Sequence, residues 1–308
     1  MTGTHVEQDV SVDPGLRTGV LDHVWRVALS NRGKEMRARV LISAEAAARR
    51  GQGVPDSRVF IGTAAIQMTH LATLAHDDVM DDSDYRRGLP SLQASFGAPL
   101  AGAAGAVFLG RALGLLSRCG GEAVTVASET ALDICKGQMC ELRSLNDVNR
   151  TPEQYLECIA GKTGAGFRLA AVLGAIFGGA RPNIREALQG YGEALGVAHQ
   201  IIDDVLDITG DPQRTGKKLG NDLRNGNFTL PIIFALEERP GLVKLLRENN
   251  VVGPAIEAIC ETEAIDRAGH QARLWIAKAK EAVADLAEQL ALLEIADEDL
   301  GALDRVSP

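Results

Sequence analysis

The chain has 308 residues, 45% hydrophobic and 24% charged, the profile of a soluble globular protein with one large domain or two ordinary ones. Its net charge of −9 argues against general nucleic-acid binding. Aromatic residues are only 4% and alanine is abundant, which favours close-packed helices over a β-sandwich. No apolar run is read as reaching the length of a membrane span, so no integral membrane segment is expected. The N-terminal MTGTHVEQDV lacks the charged-then-apolar layout of a signal peptide, and a cytoplasmic location is expected. Five cysteines, an odd number with no Cys-x-x-Cys pair, point to reduced thiols and not to a disulfide framework or a zinc site.

Residues 1–15 are polar and end on Asp13-Pro14-Gly15, so they read as a flexible tail; residues 16–308 read as a single all-α domain with its ligand cavity between helices. Helical periodicity predicts helices over about 17–30, 36–51, 57–81, 92–118, 121–144, 152–178, 183–208, 228–236 and 266–292. Breakers separate them, among them Gly51-Gln52-Gly53-Val54-Pro55, Arg87-Gly88-Leu89-Pro90 and Cys119-Gly120-Gly121. Thr151 before Pro152, with Glu153 and Gln154 after it, is a helix start. No alternating strand pattern of useful length is visible.

Two Asp-Asp-x-x-Asp boxes stand out, Asp77-Asp78-Val79-Met80-Asp81 and Asp203-Asp204-Val205-Leu206-Asp207. On a helix, positions i and i+4 share a face, which groups Asp77 with Asp81 and Asp203 with Asp207. A lone acidic box is usually a solvated helix face. Here both boxes adjoin strongly apolar stretches, where an uncompensated charge is expensive. A hard divalent cation with oxygen ligands compensates it, and Mg²⁺ completes its shell with water and substrate phosphates. Basic residues lie nearby. Arg86-Arg87-Gly88-Leu89-Pro90 follows the first box and suits phosphate capture from a loop. Lys34 and Arg37 share a helix face, and a glycine-punctuated segment bearing Lys217 follows the second box. Gly161-Lys162-Thr163-Gly164 interrupts a helical run and suggests a local kink.

From about Gly33 to Pro231 the chain resembles the all-trans polyprenyl diphosphate synthases, the farnesyl and geranylgeranyl diphosphate synthases among them. The resemblance rests on GKEMR, MTHLATLAHDDVMD followed by RRGLPS, GKT, QIIDDVLD, GKKLGNDL and TLP, in the family order. It implies an all-α fold around a deep cavity, a homodimer, and Mg²⁺-dependent head-to-tail condensation of an allylic diphosphate with isopentenyl diphosphate. Carried over residue by residue, it implies three Mg²⁺ ions held by Asp77, Asp81 and Asp203, supported by Asp204 and Asp207. Arg86, Lys162, Thr163, Gln200 and Lys217 would contact the allylic diphosphate, with Lys162, Thr163 and Gln200 nearest the chemistry. Lys34, Arg37, His70 and Arg87 would hold isopentenyl diphosphate. The small residues Ala72, Thr73 and Thr69 would form the first floor of the product cavity, which implies a product of geranylgeranyl length or longer, with a deeper stop at Phe108 or Met139.

The chain departs from the family pattern at several places. Asn227 stands where a lysine is usual before Phe228-Thr229, Ala38 where a proline is frequent, Gln67 for Glu, Ala106 for Asp and His199 for Phe, and a basic C-terminal ending is missing. The metal ligands are intact. Two other readings stay open on the residues alone. One is a class I terpene cyclase, against which stand the second Asp box and the scarcity of aromatics. The other is a non-catalytic subunit of a heteromeric synthase, for which Asn227 is the main argument.

Overall fold

The apolar periodicity becomes helix after helix in the computed structural model of the chain, which describes residues 24–28, 35–86, 88–210, 219–246, 252–286 and 288–304. The tail, Lys34, Arg87 and Lys217 lie outside the described residues. α1 (Met36–Ala48) leads to α2 (Arg58–Met80), then a hairpin of β1 (Tyr85–Arg86) and β2 (Leu89–Pro90), and then α3 (Leu92–Phe96) and α4 (Ala98–Leu116). α5 (Gly121–Arg143) is followed by α6 (Pro152–Ile159), a π-helical turn at Ala160–Gly164, and α7 (Ala165–Phe177), a continuous helical stretch. α8 (Pro182–Thr209), the short α9 (Asn221–Arg224), α10 (Leu230–Glu238), α11 (Leu242–Leu246), α12 (Val252–Cys260), α13 (Ala264–Ala282) and α14 (Leu290–Asp304) complete the order.

The broadest helix contacts join α2 to α4, α8 to α7 and α13, and α1 to α7. Small residues set these distances. A methyl group on Gly105 of α4 would lie 2.4 Å from His76 Nε2 of α2, so the two helices meet at that glycine. One apolar cluster takes in Leu41, Ile66, Met68, Phe108, Phe167 and Leu173; another takes in Tyr155, Ile201, Ile202, Val205, Phe228 and Ile232. Trp275 and Leu300 pack against both and fuse them. Burying each large aliphatic or aromatic side chain contributes roughly 1.5–3 kcal/mol. Helix α6 begins as expected: Thr151 accepts from the Gln154 amide at 3.3 Å, and the Gln154 side chain accepts from the Thr151 amide at 2.9 Å, a capping box.

The structure corrects several expectations. Cys140 of α5 and Cys158 of α6 form a disulfide, leaving Cys119, Cys135 and Cys260 free among the described residues. Eighteen residues separate the pair in sequence, a spacing that carries no motif, and only the packing of α5 on α6 brings it together. Two helical stretches, Ala98–Cys119 and Pro152–Phe177, are long and apolar enough to cross a membrane by length and composition. The second is 72% buried inside the fold and the first only 39%. The stretch after the first box makes a two-residue-per-strand hairpin, with Arg86 opposite Leu89 and Gly88 at φ 77°. Helices α11, α12 and α14 escaped the periodicity reading, and the span predicted over 266–292 ends at Ala282.

Candidate active site

The two boxes sit on α2 and α8, and the π turn between α6 and α7 reaches both. Lys162 Nζ donates to Glu141 Oε1 of α5 at 2.6 Å and lies 3.6 Å from Asp77 Oδ1. The next residue turns the other way: Thr163 Oγ1 donates to Gln200 Oε1 at 2.7 Å, and Gln200 Nε2 donates to Asp204 Oδ1 at 2.7 Å. The π turn is wedged between two helices at glycines. A methyl on Gly137 of α5 would fall 2.3 Å from the Lys162 amide nitrogen, and one on Gly196 of α8 would fall 2.7 Å from Gly164 Cα. The kink expected at Gly161–Gly164 is therefore a π turn held by close backbone approach.

Within the first box, Asp77 lies against the Lys162 ammonium, Asp81 acts on it by its charge, and Asp78 points inward, 3% exposed, and pairs with Arg86 at 2.7 Å. In the second box Asp203 is exposed. Asp204 is buried and also accepts from the Tyr155 hydroxyl at 2.5 Å. Asp207 caps α9, accepting from the Asn221 and Asp222 amides at 3.2 and 3.1 Å. His199 Nδ1 lies 3.0 Å from Oδ1 of the buried Asp299 on α14, and its Nε2 lies 3.9 Å from Asp203. Glu141, Tyr155, Asp222 and Asp299 belong to this neighbourhood; Asp222 lies in the GKKLGNDL motif without being singled out, and the other three carry no motif signal.

Electrostatics mark the same place. Burial pushes the Asp81 carboxyl up to about 6; Lys162 and Arg86 relieve it, while Asp77 and Glu141 add repulsion. Burial also raises Asp204, against the hydrogen bonds from Tyr155 and Gln200, and Asp203 and Glu141 raise it further. Burial opposes the charge of Lys162, but Asp77, Glu141 and Asp81 outweigh it and leave its pKa above the ordinary lysine value. Glu141 thus acts on a carboxylate of each box. The donor set is all oxygen, as Mg²⁺ requires, yet among the described residues no three His, Cys, Asp or Glu side chains converge to hold an ion by themselves. A cation held here would complete its shell with water or with ligand oxygens.

Arg37, His70 and Lys162 line one small cavity of about 20 Å³ with Ile66, Thr69, Thr73, Ile134, Gly166 and Leu169. Arg37 lies 4.5 Å above the Phe167 ring.

The Polyprenyl synthetase family model matches residues 19–261. The chain belongs to that family. It is 33% identical over 310 residues to the geranylgeranyl diphosphate synthase of Methanosarcina mazei, covering 94% of this chain and 93% of that one. It is 42% identical over 185 residues to the nonaprenyl diphosphate synthase of Mycobacterium tuberculosis, covering 60% of this chain and 55% of that protein. The crystal structure of polyprenyl synthase from Caulobacter crescentus CB15 complexed with calcium and isoprenyl diphosphate superposes with a TM-score of 0.88 at 28% identity, covering 98% of this chain and 93% of that one. As a member of the polyprenyl synthetase family, the chain is an all-α trans-prenyltransferase acting head to tail, its product length unspecified.

A carboxyl whose folded pKa exceeds its unfolded value costs stability once ionised. The metal-free protein should therefore lose stability as pH rises through about 6, where Asp81 ionises, and a bound divalent cation should restore it. The rise in Tm given by millimolar Mg²⁺ is expected to be larger near pH 8 than near pH 5.5 in scanning calorimetry. Equal rises at both would mean that these carboxyls are not the ones bound.

Proposed function

We propose that this polyprenyl synthetase condenses an allylic diphosphate with isopentenyl diphosphate in a Mg²⁺-dependent reaction. The observation that carries this reading is the π turn, whose adjacent residues reach the two acidic boxes in opposite directions. Asp77, Asp81 and Asp203, supported by Asp204 and Asp207, would hold three Mg²⁺ ions, whose charge offsets the negative charge that builds on the departing diphosphate. The calcium and isoprenyl diphosphate in the Caulobacter relative support an ion-and-diphosphate site. Lys162, Thr163 and Gln200 would orient the allylic diphosphate, and Arg86 and Lys217 would contact it. Arg37 and His70, with Lys34 and Arg87, take the diphosphate of isopentenyl diphosphate. Arg37, His70 and Lys162 line one cavity, which supports placing the two substrates side by side with their reacting carbons close together.

Asp77→Ala or Asp203→Ala should cut turnover by about a hundredfold or more while the helical circular dichroism is unchanged, in proportion to what single electrostatic groups contribute to catalysis. Condensation of geranyl or farnesyl diphosphate with isopentenyl diphosphate is the assay; full activity in excess chelator would sink the reading.

The product is proposed to be of geranylgeranyl length or longer. Thr73 and Thr69 line the small cavity from α2, and Ile66, Ile134 and Leu169 also line it. Ala72 is instead buried in the apolar core, Phe108 stacks on Trp25 at 4.8 Å, and Met139 is 57% exposed. A deeper stop at Ile66, Ile134 and Leu169, which line that cavity, is proposed in place of Phe108 or Met139. Thr73→Phe should shorten the product with little loss of stability, whereas Ala72→Phe overpacks the core and should cost about 1–3 kcal/mol. An unchanged product from Thr73→Phe would remove α2 as the cavity wall.

A homodimer accounts for the surface. Helix α4 is strongly apolar yet only partly buried, with Val107 exposed, and α5 exposes Leu132, Met139 and Leu142. A second copy is proposed to cover these faces. Light scattering at micromolar concentration should return the dimer mass, and Leu132→Glu should shift it to the monomer; a monomeric wild type would contradict the pairing.

A further inference from the structure

Arg150 lies in the loop between α5 and α6, one residue before the capping Thr151, and is 4% exposed. Its Nη1 donates to Asn227 Oδ1 at 3.0 Å and to the Phe228 carbonyl at 2.9 Å, while Nε and Nη2 are buried without a partner. Among the described residues no carboxylate lies within ion-pair distance of it. A buried guanidinium held this way is expensive, so a residue without a task would not be kept there. Burial lowers its pKa, against the fields of Glu141, Tyr155 and Asp204.

Two supports of the second acidic box meet at this side chain. The guanidinium sits 5.3 Å above the ring of Tyr155, whose hydroxyl donates to Asp204 Oδ2. It also clamps the far end of the segment that Asp207 caps. That segment starts with Gly220, whose amide donates to the Asp207 carbonyl at 2.7 Å. It ends at Gly226, at φ 69°, whose carbonyl accepts from the Asn146 amide at 2.7 Å, and at Asn227 and Phe228, which Arg150 holds. We infer that Arg150 is a positioning residue for the second acidic box, fixing Asp204 through Tyr155 and Asp207 through residues 220–228 from a single buried guanidinium. The inference deepens the proposed function, since it takes from that reading what the box binds.

Because Asn227 is the side chain that meets Arg150, the cation can be moved across the contact. The test compares wild type, Arg150→Met and the double variant Arg150→Met/Asn227→Lys. Three readouts are taken: calorimetric affinity for Mg²⁺ with inorganic pyrophosphate, the Mg²⁺ requirement for turnover, and KM for isopentenyl diphosphate. Arg150→Met should weaken Mg²⁺ binding about tenfold, as loss of outer-shell support does elsewhere, and leave KM for isopentenyl diphosphate within about twofold. The double variant should recover Mg²⁺ affinity to within about threefold of wild type, by the same reasoning. A lower Tm with unchanged Mg²⁺ affinity, or a double variant no better than Arg150→Met, overturns the proposal. If Arg150→Met does not fold, Asn227→Ala keeps the guanidinium and removes one acceptor; it should still weaken Mg²⁺ binding measurably, and unchanged binding overturns the proposal. Wild-type protein that binds Mg²⁺ and pyrophosphate but makes no prenyl product refutes the functional reading, while the binding comparison still judges Arg150.

Discussion

Repulsion among carboxylates governs this molecule's centre. Asp77, Asp81, Asp203 and Asp204 come from two helices, and Glu141 on a third pushes on both groups. Lys162 and Thr163 resolve it because they are consecutive. Adjacent residues of a helical turn point in different directions, so one turn can face α2 and α5 with its ammonium and α8 with its hydroxyl. The π geometry and the bare glycines at 137 and 196 put that turn within reach of all three helices. A β-carbon at either glycine would force the backbones apart and lengthen every contact described for the π turn.

Much of this was legible in the chain. The acidic boxes announce themselves by composition and i,i+4 spacing, and the glycines around Lys162 and Thr163 signal irregular backbone. The Thr151 capping box is written out in four residues. What escaped were partners set by packing between distant segments. Glu141 is one acidic residue on an amphipathic helix, and Arg150 reads as an ordinary loop cation. Tyr155 reads as core, and the link between Cys140 and Cys158 has no spacing signature. Ala72 faces the core although its position relative to Asp77 suggested a cavity wall, because sequence spacing alone does not fix which side of α2 is apolar contact and which is void.

The departures from the family pattern also acquire partners. His199, in place of a phenylalanine, still packs against an aromatic ring, Phe167 at 5.3 Å, but gives buried Asp299 a hydrogen-bonding mate. Burial works against its charge, yet Asp203 and Asp299 leave its pKa raised. The C-terminal helix is thereby tied to the second box. Asn227 likewise accepts from an arginine where a cation of its own would be repelled.

The lysine between Asp77 and Glu141 bears on the sequence of events when ligands arrive. Without a divalent ion, its charge is already spent on two carboxylates, and the surrounding site is anionic. A bare diphosphate approaching then meets net repulsion, whereas one that carries its own cations brings the compensation with it. If divalent cations took over the aspartates, Lys162 would be free to turn toward phosphate, which in the proposed reaction favours entry of the first substrate as a metal complex.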